Sequence, residues 1–301
     1  MITKQTKILV LGCGGMLGAA VYAHFKDVCE VYATDKEVNE SWLHYLDIQD
    51  YAQVKAKIIE IKPDYIFNLA ALTDMEYCET HPLEAYGTNA MGTENVALLC
   101  REFDIPMIYI STAGVFDGKQ ERYGDYDLPN PLSIYGKSKY AGEKFVKEFL
   151  TKYFIFRPGW MMGGGPQKDK KFINKVIKQI KEGNKELFVV DDKVGAPTYT
   201  YDFAKIIHQV IDTGQFGLYN SVCEDGGSRH EIAQELLRLA GLSDKIKLTK
   251  VESSHFRKEY FAQRPASEHL LNFKLKLIKI TTPRSWKECL AEYMKKYEWG
   301  I

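Results

Sequence analysis

The sequence predicts an α/β protein, with a doubly wound parallel sheet that carries helices on both faces and a smaller C-terminal α+β lobe. Two observations predict this class. Short apolar runs alternate with segments of helical spacing through the first half of the chain, and repeated strand–helix–strand units of this length form parallel sheets. After residue 158 the alternation gives way to turn-rich sequence with isolated helices, which is typical of a second, mixed lobe.

The elements of the first half follow from these two periodicities. Strands are predicted where a short apolar run is bounded by glycine, proline or polar turn residues, at 7–11, 29–33, 65–69, 106–110 and 153–156. Helices are predicted where apolar residues recur every three or four positions, at 16–25, 51–61, 82–103 and 135–150. Pro63 stops the second helix, and Pro82 occupies the first turn of the third.

The second half divides the chain into two predicted domains. Its predicted elements are helices at 172–182, 201–211, 229–240 and 283–294, a strand at 187–190 and a turn at 195–198. We expect a dinucleotide-binding Rossmann domain over 1–158, to which 198–217 returns. Residues 159–197 and 218–301 then form a substrate-binding lobe.

Composition excludes several classes of protein. Of 301 residues, 45% are hydrophobic and 27% charged, and 40 basic residues balance 40 acidic ones. No apolar run approaches the ~18 residues of a membrane span, and no basic run indicates a nucleic-acid partner. The six cysteines form no C-x-x-C pair, which argues against a zinc site or a disulfide framework. We therefore expect a cytoplasmic protein without a metal site, a membrane partner or a nucleic-acid partner.

A glycine-rich turn joins the first predicted strand to the first helix. The segment Gly12–Gly18 reads G-x-x-G-x-x-G, which lets backbone approach a pyrophosphate while the helix N-terminus offers free N–H groups. The residues predicted to bind a dinucleotide here are Gly12, Gly14, Gly15, Met16, Leu17 and Gly18. A tight structural turn is the alternative, and the strand–turn–helix context favours the dinucleotide.

Asp35 lies at the end of the second predicted strand and indicates which dinucleotide. A carboxylate at this place accepts hydrogen bonds from the adenosine ribose and repels a 2′-phosphate, so it favours NAD(H). Lys36 beside it offsets part of that repulsion, which leaves NADP(H) open. Asp47 and Ile48 follow a third short segment and are predicted to flank the adenine.

Tyr135 and Lys139 are candidates for proton-transfer chemistry. Four residues apart on a helix, they share one face. A phenol with an ordinary pKa near ~10 exchanges protons poorly at neutral pH unless a cation stabilises its phenolate, and Lys139 is placed to do so. Ser111 and Thr112 follow the strand at 106–110, at the carboxyl edge where open α/β sheets bind ligands, and could hold a substrate oxygen.

With these residues assembled, the chain resembles the extended short-chain dehydrogenase/reductase superfamily, and within it the dTDP-4-dehydrorhamnose reductase (RmlD-like) family. The matching stretches run along most of the chain and include 46–48, 63–71, 86–92, 110–112, 115–118, 131–139, 157–160, 195–198 and 264–265. The resemblance implies NAD(P)H-dependent reduction of the 4-keto group of a nucleotide-activated deoxysugar, as in dTDP-rhamnose and polysaccharide biosynthesis. It leaves a homodimer open.

The resemblance also implies roles for individual residues. Tyr135 donates the proton, Lys139 lowers the pKa of Tyr135, and Thr112 polarises the carbonyl. Leu69, Ala70 and Ala71 line the cofactor. Ser111, Trp160 and Arg264 are the further residues expected near the substrate.

One stretch departs from the family pattern. The family usually has Asp-Tyr after the Ser-Thr pair, whereas this chain has Ala113 and Gly114, and Ser267 stands one position earlier than the pattern. Both changes concern the sugar pocket. The alternatives are an NAD-dependent sugar-nucleotide epimerase, a dehydratase, which the missing acid disfavours, and a non-catalytic dinucleotide-binding regulatory subunit. One relative of the family is such a regulatory partner, of methionine adenosyltransferase.

Overall fold

The strands and helices are those of a computed structural model that describes residues 1–281 and 283–301. The strands are β1 (Lys7–Leu11), β2 (Glu30–Asp35), β3 (His44–Tyr45), β4 (Tyr65–Asn68), β5 (Met107–Ile110), β6 (Tyr153–Arg157), β7 (Trp160–Met162), β8 (Glu186–Val190), β9 (Val194–Gly195), β10 (Pro197–Tyr199), β11 (Gly217–Asn220), β12 (Gly227–Ser228), β13 (Lys247–Val251) and β14 (Ser267–Glu268). The α-helices are α1 (Met16–Phe25), α2 (Tyr51–Ile61), α3 (Met75–Thr80), α4 (Pro82–Tyr86), α5 (Thr93–Glu102), α6 (Ile134–Phe149), α7 (Gly165–Lys168), α8 (Phe172–Lys181), α9 (Thr200–Thr213), α10 (Arg229–Leu239), α11 (Phe273–Leu277) and α12 (Trp286–Lys296).

Seven of the strands form one parallel sheet, in the order β11–β6–β5–β4–β1–β2–β3. The strand order reverses at β1, because β2 lies on one side of it and β4 on the other. Helices α1 and α9 pack on one face, and α2, α5 and α6 pack on the other. The doubly wound parallel sheet predicted from the sequence is therefore confirmed. Its carboxyl edge, at the reversal, is where this class of sheet binds ligands.

A second hydrophobic core, called here the C-terminal core, lies outside the sheet. It is built by α8, α10 and α12, with β8 and β10 beside them. The segment of 195–198, predicted as a turn, instead contains the ends of β9 and β10. The division into two domains stays a prediction; β11, which pairs with β6, runs to Asn220.

The long helix predicted over 82–103 is interrupted by a π-helical turn, Gly87–Gly92, between α4 and α5. At Gly92 a Cβ would lie 2.8 Å from the side chain of Ile48, so the backbone of this turn closely approaches the loop after β3. The segments on both sides of a π turn remain helical, which is why the pattern predicted one uninterrupted helix. Across 1–281 and 283–301, no helix combines the length and the apolarity needed to cross a membrane.

Candidate active site

A large cavity of about 1210 Å³ lies between the carboxyl edge of the sheet and the C-terminal core. Its walls include the glycine-rich turn on one side and the Tyr135 region on the other. The volume exceeds the ~300–1,000 Å³ of a site for one small ligand. The cavity therefore has room for a dinucleotide and a second ligand side by side.

The glycine-rich turn leads from β1 into α1 and packs closely against neighbouring backbone at two of its glycines. Gly12 has φ +77°, and a Cβ there would lie 2.4 Å from the backbone of Ala70. A Cβ at Gly18 would lie 2.2 Å from the carbonyl oxygen of Cys13, whereas Gly15 faces open space. No side chain caps the N-terminus of α1. Its first N–H groups thus open onto the cavity, beside Met16 and Leu17, as a phosphate-binding turn requires.

Asp35, at the end of β2, is held against this turn. The Asp35 Oδ2 accepts a hydrogen bond from the Gly14 N–H at 2.7 Å, and Oδ1 accepts one from the Glu37 N–H at 2.9 Å. Lys36 and Asp47 also line the cavity, and buried Ile48 lies next to them. The carboxylate is at the predicted place, but in this state it organises the turn.

The loop after β4 forms the floor between the two ends of the cavity. Leu69, Ala70 and Ala71 line it, and the Leu69 N–H donates to Leu11 O at 2.9 Å. Asn89, in the π turn, clamps the next residue: it accepts from the Leu72 N–H at 2.8 Å and donates to Leu72 O at 3.0 Å. The sequence patterns gave Asn89 no role, because only the irregular turn aims its amide at this loop.

Thr112 and Ser111, after β5, have different surroundings. The Thr112 Oγ1 accepts from the Gly114 N–H at 3.1 Å, so its own proton is left for another acceptor. The buried Ser111 hydroxyl donates to Glu143 Oε1 at 2.5 Å. Ser111 as a substrate contact stays a prediction, and this bond argues against it because the hydroxyl proton is already used.

Tyr135 stands in the first turn of α6 with its side chain at the cavity. Burial raises the pKa of Tyr135 to about 12, and hydrogen bonding with Thr112 lowers it only in part. Lys139 is not among the groups that shift the pKa of Tyr135, because the amine, whose own pKa is about 7, is already neutral at the pH at which the phenol would ionise. In this state the phenol keeps its proton at neutral pH, contrary to the acidic phenol that the spacing led us to expect, because loss of solvation dominates.

Lys139 is 2% exposed, and its ammonium lies 4.3 Å from the ring centre of Tyr109. Burial lowers the pKa of Lys139 to about 7, while the carboxylate of Glu143, one helical turn further on, acts in the opposite direction. Within the described residues, no acceptor forms a hydrogen bond with the Lys139 Nζ. This nitrogen is therefore available to a ligand in the cavity.

Glu143 is fully buried and is the partner of a second buried charge. Arg157, at the end of β6, donates to it from Nε at 2.8 Å and from NH2 at 2.7 Å, while Ser111 donates from the other side. This bidentate pair fastens α6 to the ends of β5 and β6. The ion pair thus fixes Thr112, which follows β5, relative to Tyr135 and Lys139 on α6. The sequence patterns predicted no role for either charge.

Trp160, on β7, lies against the cavity from the side of the C-terminal core. Its Nε1 donates to Glu268 Oε2 at 2.6 Å, and the guanidinium of Arg229 lies 3.6 Å from the centre of its indole. The Glu268 Oε1 lies 3.7 Å from where a Cβ at Gly114 would be. A carboxylate therefore reaches the neighbourhood of Gly114 from β14, although none follows Thr112 in the sequence.

Arg264 was expected near the substrate, and the structure pairs it with a carboxylate of the protein. Its NH1 and NH2 donate to the two carboxylate oxygens of Glu76 at 2.8 and 2.9 Å. Arg264 as a ligand contact stays a prediction that this ion pair argues against. Lys168 makes a second link across the cavity, donating to Gly14 O at 3.0 Å and pairing with Glu40 at 2.8 Å.

The arrangement places a glycine-rich turn, a carboxylate held against that turn, a protonated phenol and a free buried amine along one cavity. Within the described residues, no group of three or more His, Cys, Asp or Glu side chains is arranged to hold a metal ion. The chemistry that these residues support is therefore proton transfer beside a bound dinucleotide.

Comparison with known proteins decides the family. The model of the RmlD substrate binding domain matches residues 6–299. The chain belongs to the RmlD substrate binding domain family. A similar protein is the spore coat polysaccharide biosynthesis protein SpsK of Bacillus subtilis, which is 31% identical over 297 residues, covering 97% of this chain and 98% of SpsK.

Solved structures of RmlD family members have the same fold. A dTDP-4-dehydrorhamnose reductase from Clostridium acetobutylicum superposes with a TM-score of 0.88 at 35% identity, covering 97% of this chain and 99% of its own. The dTDP-4-dehydrorhamnose reductase of Bacillus anthracis, solved with NADP, gives 0.89 at 32% identity, covering 97% and 100%. The resemblance read from the sequence is confirmed at the level of the RmlD family.

Proposed function

We propose that this chain is an NAD(P)H-dependent reductase of the 4-keto group of a nucleotide-activated 6-deoxysugar. One observation supports the proposal above all: the uncapped N-terminus of α1 and the face of α6 that bears Tyr135 and Lys139 line the same cavity. Relatives of the RmlD family named as dTDP-4-dehydrorhamnose reductases support the substrate class.

The residues present fit a nicotinamide dinucleotide. Its diphosphate would lie on the turn from Gly12 to Gly18, where Gly15 leaves open space, and Asp35 would turn from Gly14 to the adenosine ribose. The free Lys139 Nζ would hold the nicotinamide ribose. When bound, the reduced cofactor supplies the hydride that converts the carbonyl carbon to a secondary alcohol.

The chain's own groups handle the proton. Thr112, whose hydroxyl is hydrogen-bonded with Tyr135, donates to the sugar carbonyl once the substrate is bound and orients it. Tyr135 carries its proton at neutral pH, because its pKa is about 12, and gives it to the oxygen as negative charge develops there. A protonated Lys139 nearby stabilises the phenolate that remains.

The test is turnover of a dTDP-4-dehydro-6-deoxyhexose by the purified protein with NADPH or NADH. We expect one equivalent of reduced cofactor to be consumed for each dTDP-6-deoxyhexose formed. Tyr135→Phe should lower the turnover rate roughly 10²–10⁴-fold while binding the cofactor normally. Tyr140→Phe, a change of the same kind on the same helix, is the matched control. Interconversion of sugar isomers without loss of NAD(P)H would indicate an epimerase instead, and binding without turnover would indicate a regulatory subunit.

A further inference from the structure

Arg229 is the first residue of α10, and its guanidinium lines the cavity on the side of the C-terminal core. The guanidinium carbon lies 3.6 Å from the centre of the Trp160 indole and 5.0 Å from that of the Phe172 ring. A planar guanidinium stacked on an indole keeps its N–H groups pointing outward in the plane. The head group is therefore oriented before any ligand arrives.

The indole that carries Arg229 is itself fixed. Its Nε1 is bonded to Glu268, and it packs directly on the backbone of Gly195, where a Cβ would lie 2.6 Å from two ring atoms. Only glycine at position 195 leaves room for this placement of Trp160. The stack is thus built into the protein and is not a chance orientation of a surface side chain.

Arg229 has no protein partner in the part of the chain that the structure describes: no hydrogen bond and no ion pair involves its guanidinium. Other guanidinium groups in or near the interior are paired, as Arg157 is with Glu143, Arg264 with Glu76 and Arg284 with Asp202. Glu268 is the carboxylate that acts on the charge of Arg229, but its Oε2 is occupied by the Trp160 N–H.

Burial makes the charge of Arg229 costly. Burial lowers the pKa of Arg229 to about 10, and the positive charge of Arg264 acts in the same direction. Lys171 is also near enough for Arg229 to lower the pKa of that lysine. The guanidinium nevertheless remains charged at neutral pH. A partly desolvated, unpaired cation among other cations is stabilised by an incoming anion.

We propose that Arg229, seated on Trp160, is the subsite for the diphosphate of the nucleotide-sugar substrate. The inference rests on the proposed function and adds to it the residue that holds the charged part of the substrate. A guanidinium group can donate two parallel hydrogen bonds to two oxygens of a phosphate. Arg229 is unpaired and oriented, so its N–H groups are available for such bonds. The cofactor carries the same diphosphate chemistry, but the turn from Gly12 to Gly18 already offers it a place on the opposite wall.

The test is calorimetric titration of the full chain, saturated with NADPH, with dTDP, dTMP and thymidine. Arg229→Gln should weaken dTDP binding roughly ten- to a hundredfold and change thymidine binding by less than about threefold. Arg229→Lys keeps the charge without the fork and should fall between. Arg257→Gln removes one positive charge from an exposed residue of the same cavity and is the matched control, with less than about a threefold effect on dTDP.

Several outcomes would overturn the inference: dTDP affinity unchanged in Arg229→Gln, an equal loss in Arg257→Gln, no binding of dTDP by the unmodified chain, or an equal loss of NADPH affinity. The last would assign Arg229 to the cofactor. If the chain reduces the 4-keto sugar and Arg229→Gln leaves its dTDP affinity unchanged, this inference is wrong and the proposed function stands. A chain that binds dTDP through Arg229 and reduces no 4-keto sugar would sink the proposed function alone.

Discussion

At the scale of single residues, burial sets the protonation of the proposed catalytic pair. It moves the pKa of Tyr135 up to about 12 and that of Lys139 down to about 7. The spacing of the two residues predicted that they share a helix face, which is correct. The electrostatic effect of one on the other depends on solvation, which no spacing reveals.

The pH dependence of turnover should follow Lys139. Its pKa lies below the ordinary value of 10.5, so the ammonium is present below about pH 7 and is lost as the pH rises through that value. A neutral amine no longer stabilises the phenolate of Tyr135, so kcat/KM for reduction should fall above about pH 7. The pH dependence of kcat/KM gives the pKa values of groups in the free enzyme.

The variant Lys139→Arg checks this assignment, because arginine stays charged throughout the range. Whatever turnover it retains should show no descending limb near neutrality in a stopped-flow or steady-state pH series. If the descending limb of the pH profile persists unchanged in Lys139→Arg, a group other than Lys139 causes it.

Asp35 should control the choice between the two nicotinamide cofactors. Asp35→Asn keeps an acceptor for the Gly14 N–H but removes the charge that repels a 2′-phosphate. The ratio of the NADH Kd to the NADPH Kd should therefore rise roughly tenfold, measured by fluorescence titration. Glu37→Gln, which removes an exposed negative charge from the same cavity wall, is the control. Equal changes in both affinities would remove the ribose assignment.

At the scale of elements, α6 carries a functional side chain at every fourth position along one face. After Tyr135 and Lys139 comes Glu143, whose carboxylate binds Arg157 and the Ser111 hydroxyl. Glu143 is fully buried and Arg157 is 1% exposed. One buried ion pair therefore fixes the helix relative to the strands that end at the cavity.

Breaking this pair should destabilise the whole protein. Glu143→Gln leaves the guanidinium of Arg157 buried without a counter-charge, and loss of one partner of such a pair costs ~3–5 kcal/mol. We expect that decrease in the free energy of unfolding by urea titration. Glu143→Gln/Arg157→Gln removes both charges and should lose less than the sum of the single variants. Strictly additive losses would mean that the two charges do not stabilise each other.

How far the elements could be predicted depends on what each pattern measures. The central strands and α1, α2 and α6 were found within a residue or two, because burial in a layered sheet leaves a periodic apolar signal. The short helix α3 and the three-residue strand β7 were missed, since neither is long enough to show a period. Trp160 was placed near the site by resemblance, but its stacking with Arg229 joins residues far apart in the chain.

At the scale of the whole molecule, the cavity exists because two cores face each other across it. Side chains connect the two sides: Lys168 reaches the glycine-rich turn, and Arg264 reaches Glu76 on α3. A resemblance could nominate Arg264 as a ligand contact. It could not show that a carboxylate of α3 would already occupy it, because such pairing depends on how the two sides meet.

The Lys168 link should contribute to cofactor binding. Lys168→Met removes the bond to Gly14 O and the ion pair with Glu40, so the wall opposite the turn is held less firmly. The Kd for NADPH should rise about fivefold, which corresponds to the ~1 kcal/mol of a partly exposed charged contact. Lys170→Met changes the same charge two residues away, where the side chain is exposed. If both variants weaken NADPH equally, net charge and not the link is responsible.

The hydroxyl of Tyr293, on α12, is within hydrogen-bond distance of Gly163 O at 2.8 Å and Asp169 Oδ2 at 3.0 Å, and it accepts from the Gly165 N–H at 3.1 Å. The segment that carries Lys168 is thus anchored by a residue translated 130 positions after Gly163. On the ribosome, the first six strands of the sheet emerge well before this anchor. A nascent chain consequently acquires its glycine-rich turn early, while the wall facing that turn is secured only near the end of synthesis.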